Sequence, residues 1–300
     1  MKKEALLPST FNLNDLLEKL RVLSWGAADI LQAYARGENP PYGFPKSLSV
    51  EDGGDGPVSA ADLAVNSWLI EGLGSSNFPS SSWALISEEN AKEKIVSGVP
   101  IKNEWLWILD PLDGTKDFLK GTGEYAVHLA LLNKNNPYLG VVLIPELEEL
   151  WFGIVGSGAW CEDRSGKRSS FAFSDRSNIS EMILLASRSH RDERLNKLLE
   201  NLNFAEKKYV GSVGCKVARI LRGEADFYIS LSGKTAPKDW DMAAPEAVLK
   251  AAGGEFTNSN QQNLAYNTGD LNQWGCLVAS HGENHDQLCK AIEFQLSMLG

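Results

Sequence analysis

Residues 105–118 read WLWILDPLDGTKDF: the apolar run Trp105–Leu109 gives way at once to Asp110, Pro111, Leu112, Asp113, Gly114 and Thr115. A short unbroken apolar run closed by turn residues predicts a strand buried on both faces. Its mouth then carries two carboxylates. Like charges about 4 Å apart repel by roughly 1 kcal/mol in water and about 4 kcal/mol at an effective dielectric of 20, so something cationic must compensate if both acids are enclosed.

Asp62, Glu88 with Glu89, and Asp241 also stand beside predicted strand ends or helix starts. Each has an ordinary explanation: a solvated helix residue, a surface turn, a helix cap, and for Asp113-Gly114 a simple turn pair. Together they change the balance. Carboxylates, a backbone carbonyl and hydroxyls form an all-oxygen ligand set, which suits Mg²⁺ or Mn²⁺ and does not suit zinc or copper. Divalent ions would turn an acidic pocket into an anion-binding one, and phosphate is the natural guest. Gly114 and Thr115 follow Asp113 where turn amides can hold a phosphate oxygen.

Composition narrows the classes. With 300 residues, 43% hydrophobic and 23% charged, the chain predicts a soluble globular protein of one large domain or two packed lobes. A net charge of -10 speaks against nucleic acid or an anionic membrane as partner, since both call for a basic surface. Cys161, Cys215, Cys276 and Cys289 form no C-x-x-C pair, so they predict packing rather than zinc or disulfides. No apolar run is long enough to span a bilayer, and Met1-Lys2-Lys3 leads into Glu4 and Pro8 rather than an apolar segment. The expectation is a cytoplasmic protein.

Apolar spacing over Asn14–Arg36 (Leu17, Leu20, Leu23, Ala27, Ile30, Leu31) predicts an amphipathic helix. Ser59–Leu73 predicts a second, with Leu63, Ser67, Ile70 and Leu73 along one side and Gly74 as a stop. Between them Leu48–Pro57 (LSVEDGGDGP) predicts a mobile acidic loop. Strand-like segments follow at 83–86, 105–109, 125–132, 139–144 and 150–155, a sheet beneath two helices. From Ile183 strands and helices alternate, the rhythm of a layered α/β lobe. SDRSNI, Ser174–Ile179, marks the boundary between an α+β lobe at 1–178 and an α/β lobe at 179–300.

DPLDGTKDF resembles the D-P-[IL]-D-G-T-x-x-[FY] signature of the inositol monophosphatase superfamily, and WDMAAPEAVLKAAGG at Trp240–Gly254 is similar to its partner motif. SAAD, ending at Asp62, and ISEEN, around Glu88, fall in the expected order. The resemblance implies an α/β fold, the layered αβαβα sandwich of sugar phosphatases, and magnesium-dependent, lithium-sensitive phosphatase chemistry. It implies that Glu88, Asp110, Asp113, Asp241 and the carbonyl of Leu112 ligate two or three Mg²⁺ ions, with Mn²⁺ a substitute. Asp62 and Thr115 would orient and activate a water for in-line attack on phosphorus, with Glu89 supporting the cluster.

SRSH (Ser187–His190) and GSVGCK (Gly211–Lys216) resemble the 3'(2'),5'-bisphosphate nucleotidase branch. That branch implies His190, Ser212 and Lys216, with the amides of the glycine turn, as the hold on a second phosphate and ribose, beside Gly114 and Thr115 at the scissile phosphate. The ordinary readings are a helix cap for His190 and a solvated helix face for Lys216. Lys234 and Lys238 are weaker rim candidates. Gly214 and Cys215 depart from relatives that carry serine and leucine there. His128 predicts a satisfied interior histidine, while His281 and His285 predict surface residues; most tryptophans predict core, with Trp240 bordering the pocket. The first functional reading is hydrolysis of adenosine 3',5'-bisphosphate to AMP by a monomer or homodimer. Inositol phosphate or sugar bisphosphate hydrolysis, and a non-catalytic phosphometabolite-binding homologue, stand as alternatives.

Overall fold

The computed structural model describes residues 12–52, 57–74, 83–94, 97–189 and 191–299. The first half runs α1 (Leu13–Ala35), β1 (Val50–Asp52), β2 (Pro57–Ser59), α2 (Ala60–Gly74), β3 (Trp83–Ser87), α3 (Ala91–Lys94), β4 (Trp105–Asp113), α4 (Thr115–Leu119), β5 (Ala126–Asn133), β6 (Asn136–Ile144), β7 (Glu149–Ile154), β8 (Gly158–Glu162) and β9 (Arg168–Ser169). The second half runs β10 (Ile183–Ser187), α5 (Glu193–Asn201), β11 (Glu206–Val210), α6 (Val213–Leu221), β12 (Phe227–Leu231), α7 (Asp239–Ala251), β13 (Glu255–Asn258), β14 (Cys276–Ser280) and α8 (His285–Leu299).

Strands β3 to β9 form a seven-stranded sheet in sequential order, and a five-stranded sheet has the order β11-β10-β12-β14-β13. In the larger sheet only β3 and β4 pair in parallel, and antiparallel neighbours continue from β4. Helices α1 and α2 cover one face of this sheet, α6 and α7 lie between the two sheets, and α5 and α8 cover the outer face of the smaller one. The layers are therefore αβαβα. None of the described helices is long and apolar enough to cross a membrane.

Alternation along β4 shows how the layers are glued. Trp105, Trp107 and Leu109 pack toward α1 and α2, while Leu106 and Ile108 pack toward α6 and α7. Both faces are apolar because both are covered, which is why the run reads as continuous rather than alternating.

Several sequence expectations need correction. On α2 the buried residues are Ala61, Asp62, Ala64, Val65, Leu69 and Leu73, whereas Leu63 is 49% exposed and Ser67 is also exposed. Small side chains line the packed face because α1 and α2 approach closely: a Cβ on Gly26 would fall 2.5 Å from Trp68, and one on Gly72 2.1 Å from Leu23. The segment 48–57 is not simply a loop, since β1 and β2 pair antiparallel across it; residues 53–56 lie outside the described residues. His281 and His285 are interior, at 6% and 7% exposure. His281 Nε2 lies 3.5 Å from buried Asp226, and the His285 ring bridges the hydroxyls of Thr257 and Ser280 at 2.8 Å each.

Helix α7 sits unusually low on the large sheet. Gly140 and Gly153 are cross-strand partners on β6 and β7. A Cβ at Gly140 would lie 2.5 Å from the Ala244 carbonyl oxygen, and one at Gly153 would lie 2.4 Å from Val248 Cα. Those atoms are backbone and cannot swing aside. Gly140→Val or Gly153→Val is expected to cost about 2–3 kcal/mol or more through overpacking beneath α7. Urea denaturation measures it, with Gly74→Ala as a control at a site where none of the described residues presses within 4 Å.

Candidate metal-centred active site

Strand β4 does not end at Leu109 but continues to Asp113, with an irregularity between Asp110 and Asp113. Asp110 pairs with His128 and Asp113 with Ala126, so three steps on β4 match two on β5. That extra residue is a β-bulge. Strict alternation would send Asp110 and Asp113 to opposite faces; the bulge turns both toward α6 and α7. Pro111 tolerates the break because it has no ladder N–H to lose.

Other elements bring the remaining acids to the same place. Parallel pairing sets the end of β3 beside β4, and a reciprocal Ser87–Asn90 cap starts the turn that presents Glu88. Helix α7 begins at Asp239, earlier than its sequence suggested, because Asp239 is itself an anchor. Its buried carboxylate accepts the Asn267 N–H at 2.8 Å and a Gln273 Nε2–H at 2.6 Å. Asp241, two residues on in the same first turn, accepts the Lys238 N–H at 2.7 Å. Oxygens of Asp110, Asp113 and Asp241 all lie within 4.8 Å of one another.

Glu88, Asp110, Leu112, Asp113, Gly114, Thr115 and Asp241 line one cleft of about 490 Å³, with Lys216 and Trp240 also in its wall. Arg191, Lys234 and Lys238 stand on it as well, as does the apolar surface of Tyr228, Ile229 and Leu231. Neither Arg191 nor this apolar surface was read from sequence, since nothing in their local spacing announces a site. Glu89 is half-buried beside Glu88 and outside the cleft wall. His190 lies outside the described residues.

Charge crowding is visible in the acids. Burial, reinforced by Glu88, Asp113 and Asp241, holds the Asp110 carboxyl well above its ordinary range. Glu88 is raised likewise by burial and then by Asp241, Glu89, Asp62 and Asp113. Asp241 is pushed to about 7, by burial first and Asp113 second. Carboxylates that raise one another favour an opposite charge among them, and their donors are all oxygen, a set that fits a hard divalent ion.

Asp62 stands behind the cleft as a buried, oriented carboxyl, not a solvated helix residue. One oxygen accepts the Ser59 N–H at 2.8 Å and Ser59 Oγ–H at 2.5 Å, and the other faces Thr115 Oγ1 at 3.0 Å. Thr115 Oγ1 is also 3.1 Å from the Leu112 carbonyl. Burial raises the Asp62 carboxyl, favouring proton uptake.

The glycine turn at 211–215 differs from its expectation. Its amides do not face the cleft for an anion: Gly211 N–H bonds Glu124 Oε2 at 3.0 Å, Ser212 N–H bonds the Glu124 carbonyl at 3.2 Å, and Val213 N–H bonds Asp113 Oδ2. Ser212 Oγ–H donates to the same Asp113 oxygen at 2.6 Å. Lys216 is buried rather than solvated, and its Nζ donates to the carbonyls of Gly211 and Ser212. A further ion-pair network joins the two halves of the chain: Arg188, within SRSH, clasps Asp117 of α4 and Glu124, which also binds Arg219 at 2.8 Å.

A profile of the inositol monophosphatase family matches residues 14–297. The chain is 31% identical over 254 residues to the 3'(2'),5'-bisphosphate nucleotidase CysQ of Salmonella typhimurium, covering 84% of this chain and 94% of that one. It is 31% identical over 228 residues to CysQ of Escherichia coli K12, covering 75% and 86%. Among solved structures it superposes on CysQ from Bacteroides thetaiotaomicron with a TM-score of 0.68 and 26% identity, over 91% of this chain and all 100% of that one. A Thermotoga maritima IMPase gives a TM-score of 0.74 over 95% of this chain and 100% of that one, at 23% identity, a likeness of fold.

The raised carboxyls predict a pH dependence with a definite sign. Below about pH 3 the acids are protonated in folded and unfolded chains alike. As pH rises toward 7 the unfolded chain ionises freely while Asp239 and Asp241, both raised to about 7, resist, so stability falls. Thermal unfolding in chelator should therefore drop by several degrees between pH 5 and pH 8. Asp241→Asn should flatten that slope, and a divalent cation, which needs the ionised ligands, should reverse it.

Proposed function

The chain belongs to the inositol monophosphatase family, and from that premise we propose how its residues act. It is a metal-dependent phosphomonoesterase that hydrolyses the 3'-phosphate of adenosine 3',5'-bisphosphate to AMP and phosphate. One observation carries the reading: carboxylates from both halves of the chain, Glu88, Asp110, Asp113 and Asp241, converge on one cleft beside the Asp62–Thr115 pair. The likeness to CysQ nucleotidases over most of the chain supports the substrate.

Glu88, Asp110, Asp113, Asp241 and the Leu112 carbonyl would hold two or three Mg²⁺ ions, or Mn²⁺ in their place, with Glu89 adding negative charge alongside. When bound, such ions offset the acidic charge, polarise the phosphate and ease deprotonation of water. The chain supplies the rest. Gly114, left-handed at φ 94, turns the backbone so that its own amide and that of Thr115 border the scissile phosphate. Thr115 Oγ1 fixes the attacking water, and its proton passes toward Asp62, whose Oδ1 lies 3.0 Å from that hydroxyl. The water oxygen bonds phosphorus as the ester oxygen departs with its electron pair and takes a proton from solvent.

The far end of the cleft distinguishes the substrate. Lys216 commits two protons to carbonyls and offers its third to the second phosphate, aided by Arg191 and Lys234 at the rim; the family resemblance adds His190, which lies outside the described residues. Ser212 serves through Asp113 rather than by touching substrate. The apolar wall of Tyr228, Ile229 and Leu231 takes the nucleoside. Four free, buried cysteines suit a reducing compartment, and the reading places the enzyme in the cytoplasm as a monomer or homodimer with lobes 1–178 and 179–300.

Phosphate release from adenosine 3',5'-bisphosphate, inositol 1-phosphate and fructose 1,6-bisphosphate, compared side by side with Mg²⁺, tests the substrate. The nucleotide should turn over best; equal or better hydrolysis of the inositol ester would overturn the assignment. Asp62→Asn should lower kcat by about 10²–10⁴ with little change in KM, as loss of a general base does.

A further inference from the structure

The first turn of α6 points to a residue that the catalytic reading leaves unused. A helix begins with four N–H groups that have no partner inside it. Here all four find protein acceptors: Ser212 N–H the Glu124 carbonyl at 3.2 Å, Val213 N–H Asp113 Oδ2, Gly214 N–H His128 Nε2 at 3.1 Å, and Cys215 N–H Ser212 Oγ at 3.3 Å. Helix α6 thus docks onto the large sheet through Asp113 of β4 and His128 of β5.

His128 is wholly buried, and its Nε2 can accept from Gly214 only if that nitrogen carries no proton. The same nitrogen stands 3.4 Å from Asp113 Oδ2, two acceptors side by side beneath one helix terminus. A Cβ on residue 214 would lie 2.4 Å from His128 Nε2 and 2.7 Å from Val142 Cγ1. The imidazole therefore occupies the room a side chain at 214 would need. Histidine at 128 and glycine at 214 are one structural unit, which gives the departure at Gly214 a physical cause.

We propose that His128 is a positioning residue for the metal ligand Asp113. By receiving the Gly214 N–H it seats the α6 terminus where Ser212 Oγ and Val213 N–H hold Asp113 Oδ2, leaving Oδ1 for the metal cluster. This rests on the reading of Asp113 as a ligand. A nearby acceptor of the right reach is what the position requires: glutamine at 128 can place its carbonyl oxygen near Nε2, and leucine fills similar space with no acceptor.

The test is calorimetric titration of Mn²⁺ into substrate-free protein, run with thermal unfolding in chelator. His128→Leu should weaken Mn²⁺ binding about tenfold or more, the usual cost of losing a ligand's support. His128→Gln should restore most of it, and KM at saturating metal should stay within about twofold of the parent. Should His128→Leu fail to fold, Gly214→Ala provides the second probe: it should weaken Mn²⁺ in the parent and cost clearly less in a His128→Ala background, where the ring is gone and only Val142 still crowds the new methyl. Unchanged Mn²⁺ affinity in His128→Leu, or equal losses in His128→Leu and His128→Gln, would reduce His128 to packing and overturn the proposal. Asp113→Asn separates the two readings, because unaltered Mn²⁺ binding in that variant would remove the ligand assignment itself.

Discussion

Enclosed carboxylates that repel one another are the constraint around which this molecule is organised. Glu88, Asp110 and Asp241 are each raised by burial and by their neighbours, so holding them together in ionised form costs free energy that an opposite charge would offset. Three devices impose the arrangement. The bulge across Pro111 turns two aspartates of one strand to one face. The Gly140–Gly153 pair lets α7 settle low enough to deliver Asp241. The N-terminus of α6 meets Asp113 with two donors and the favourable end of its dipole.

The last two devices join distant parts of the chain, so the full set of acids meets only when the two halves are docked. Arg188 from the end of β10 reaches Asp117 and Glu124 beside the β4 motif, and Glu124 in turn fixes Gly211, Ser212 and Arg219. The same contacts that register the halves therefore set the distance between the acidic pole and the cationic wall carrying Lys216 and Arg191. Although the chain carries a net charge of -10, this cleft gathers local positive charge in Arg191, Lys216, Lys234 and Lys238 beside its acids.

Errors in the sequence reading have specific physical origins. Hydrophobic spacing favoured Leu63 as a buried position of α2, but close approach of α1 selects the small Ala61 and Ala64, and Leu63 is left outside. His281 and His285 looked like surface residues because their partners Asp226, Thr257 and Ser280 are not their helical neighbours. The turn amides of 211–215 looked available to phosphate because a sequence does not show that Asp113, nearly a hundred positions earlier, will consume one of them.

Read alone, the amino-acid sequence determined which chemistry was available. Acidic residues beside strand ends and helix starts, an apolar run ending in DPLDGT, and alternating texture from Ile183 pointed to oxygen ligands, a phosphate guest and a layered α/β lobe, while the five-layer sandwich came from the family resemblance. Local patterns carry that information because strand and helix periodicity and ligand type depend on residues close in the chain. Tertiary structure alone decided where each side chain points and which group is already spoken for: the bulge, the low seat of α7 and the shared occupancy of the α6 terminus by Asp113, His128 and Ser212. Those outcomes turn on contacts between residues far apart in sequence, made at ångström separations that no local pattern encodes.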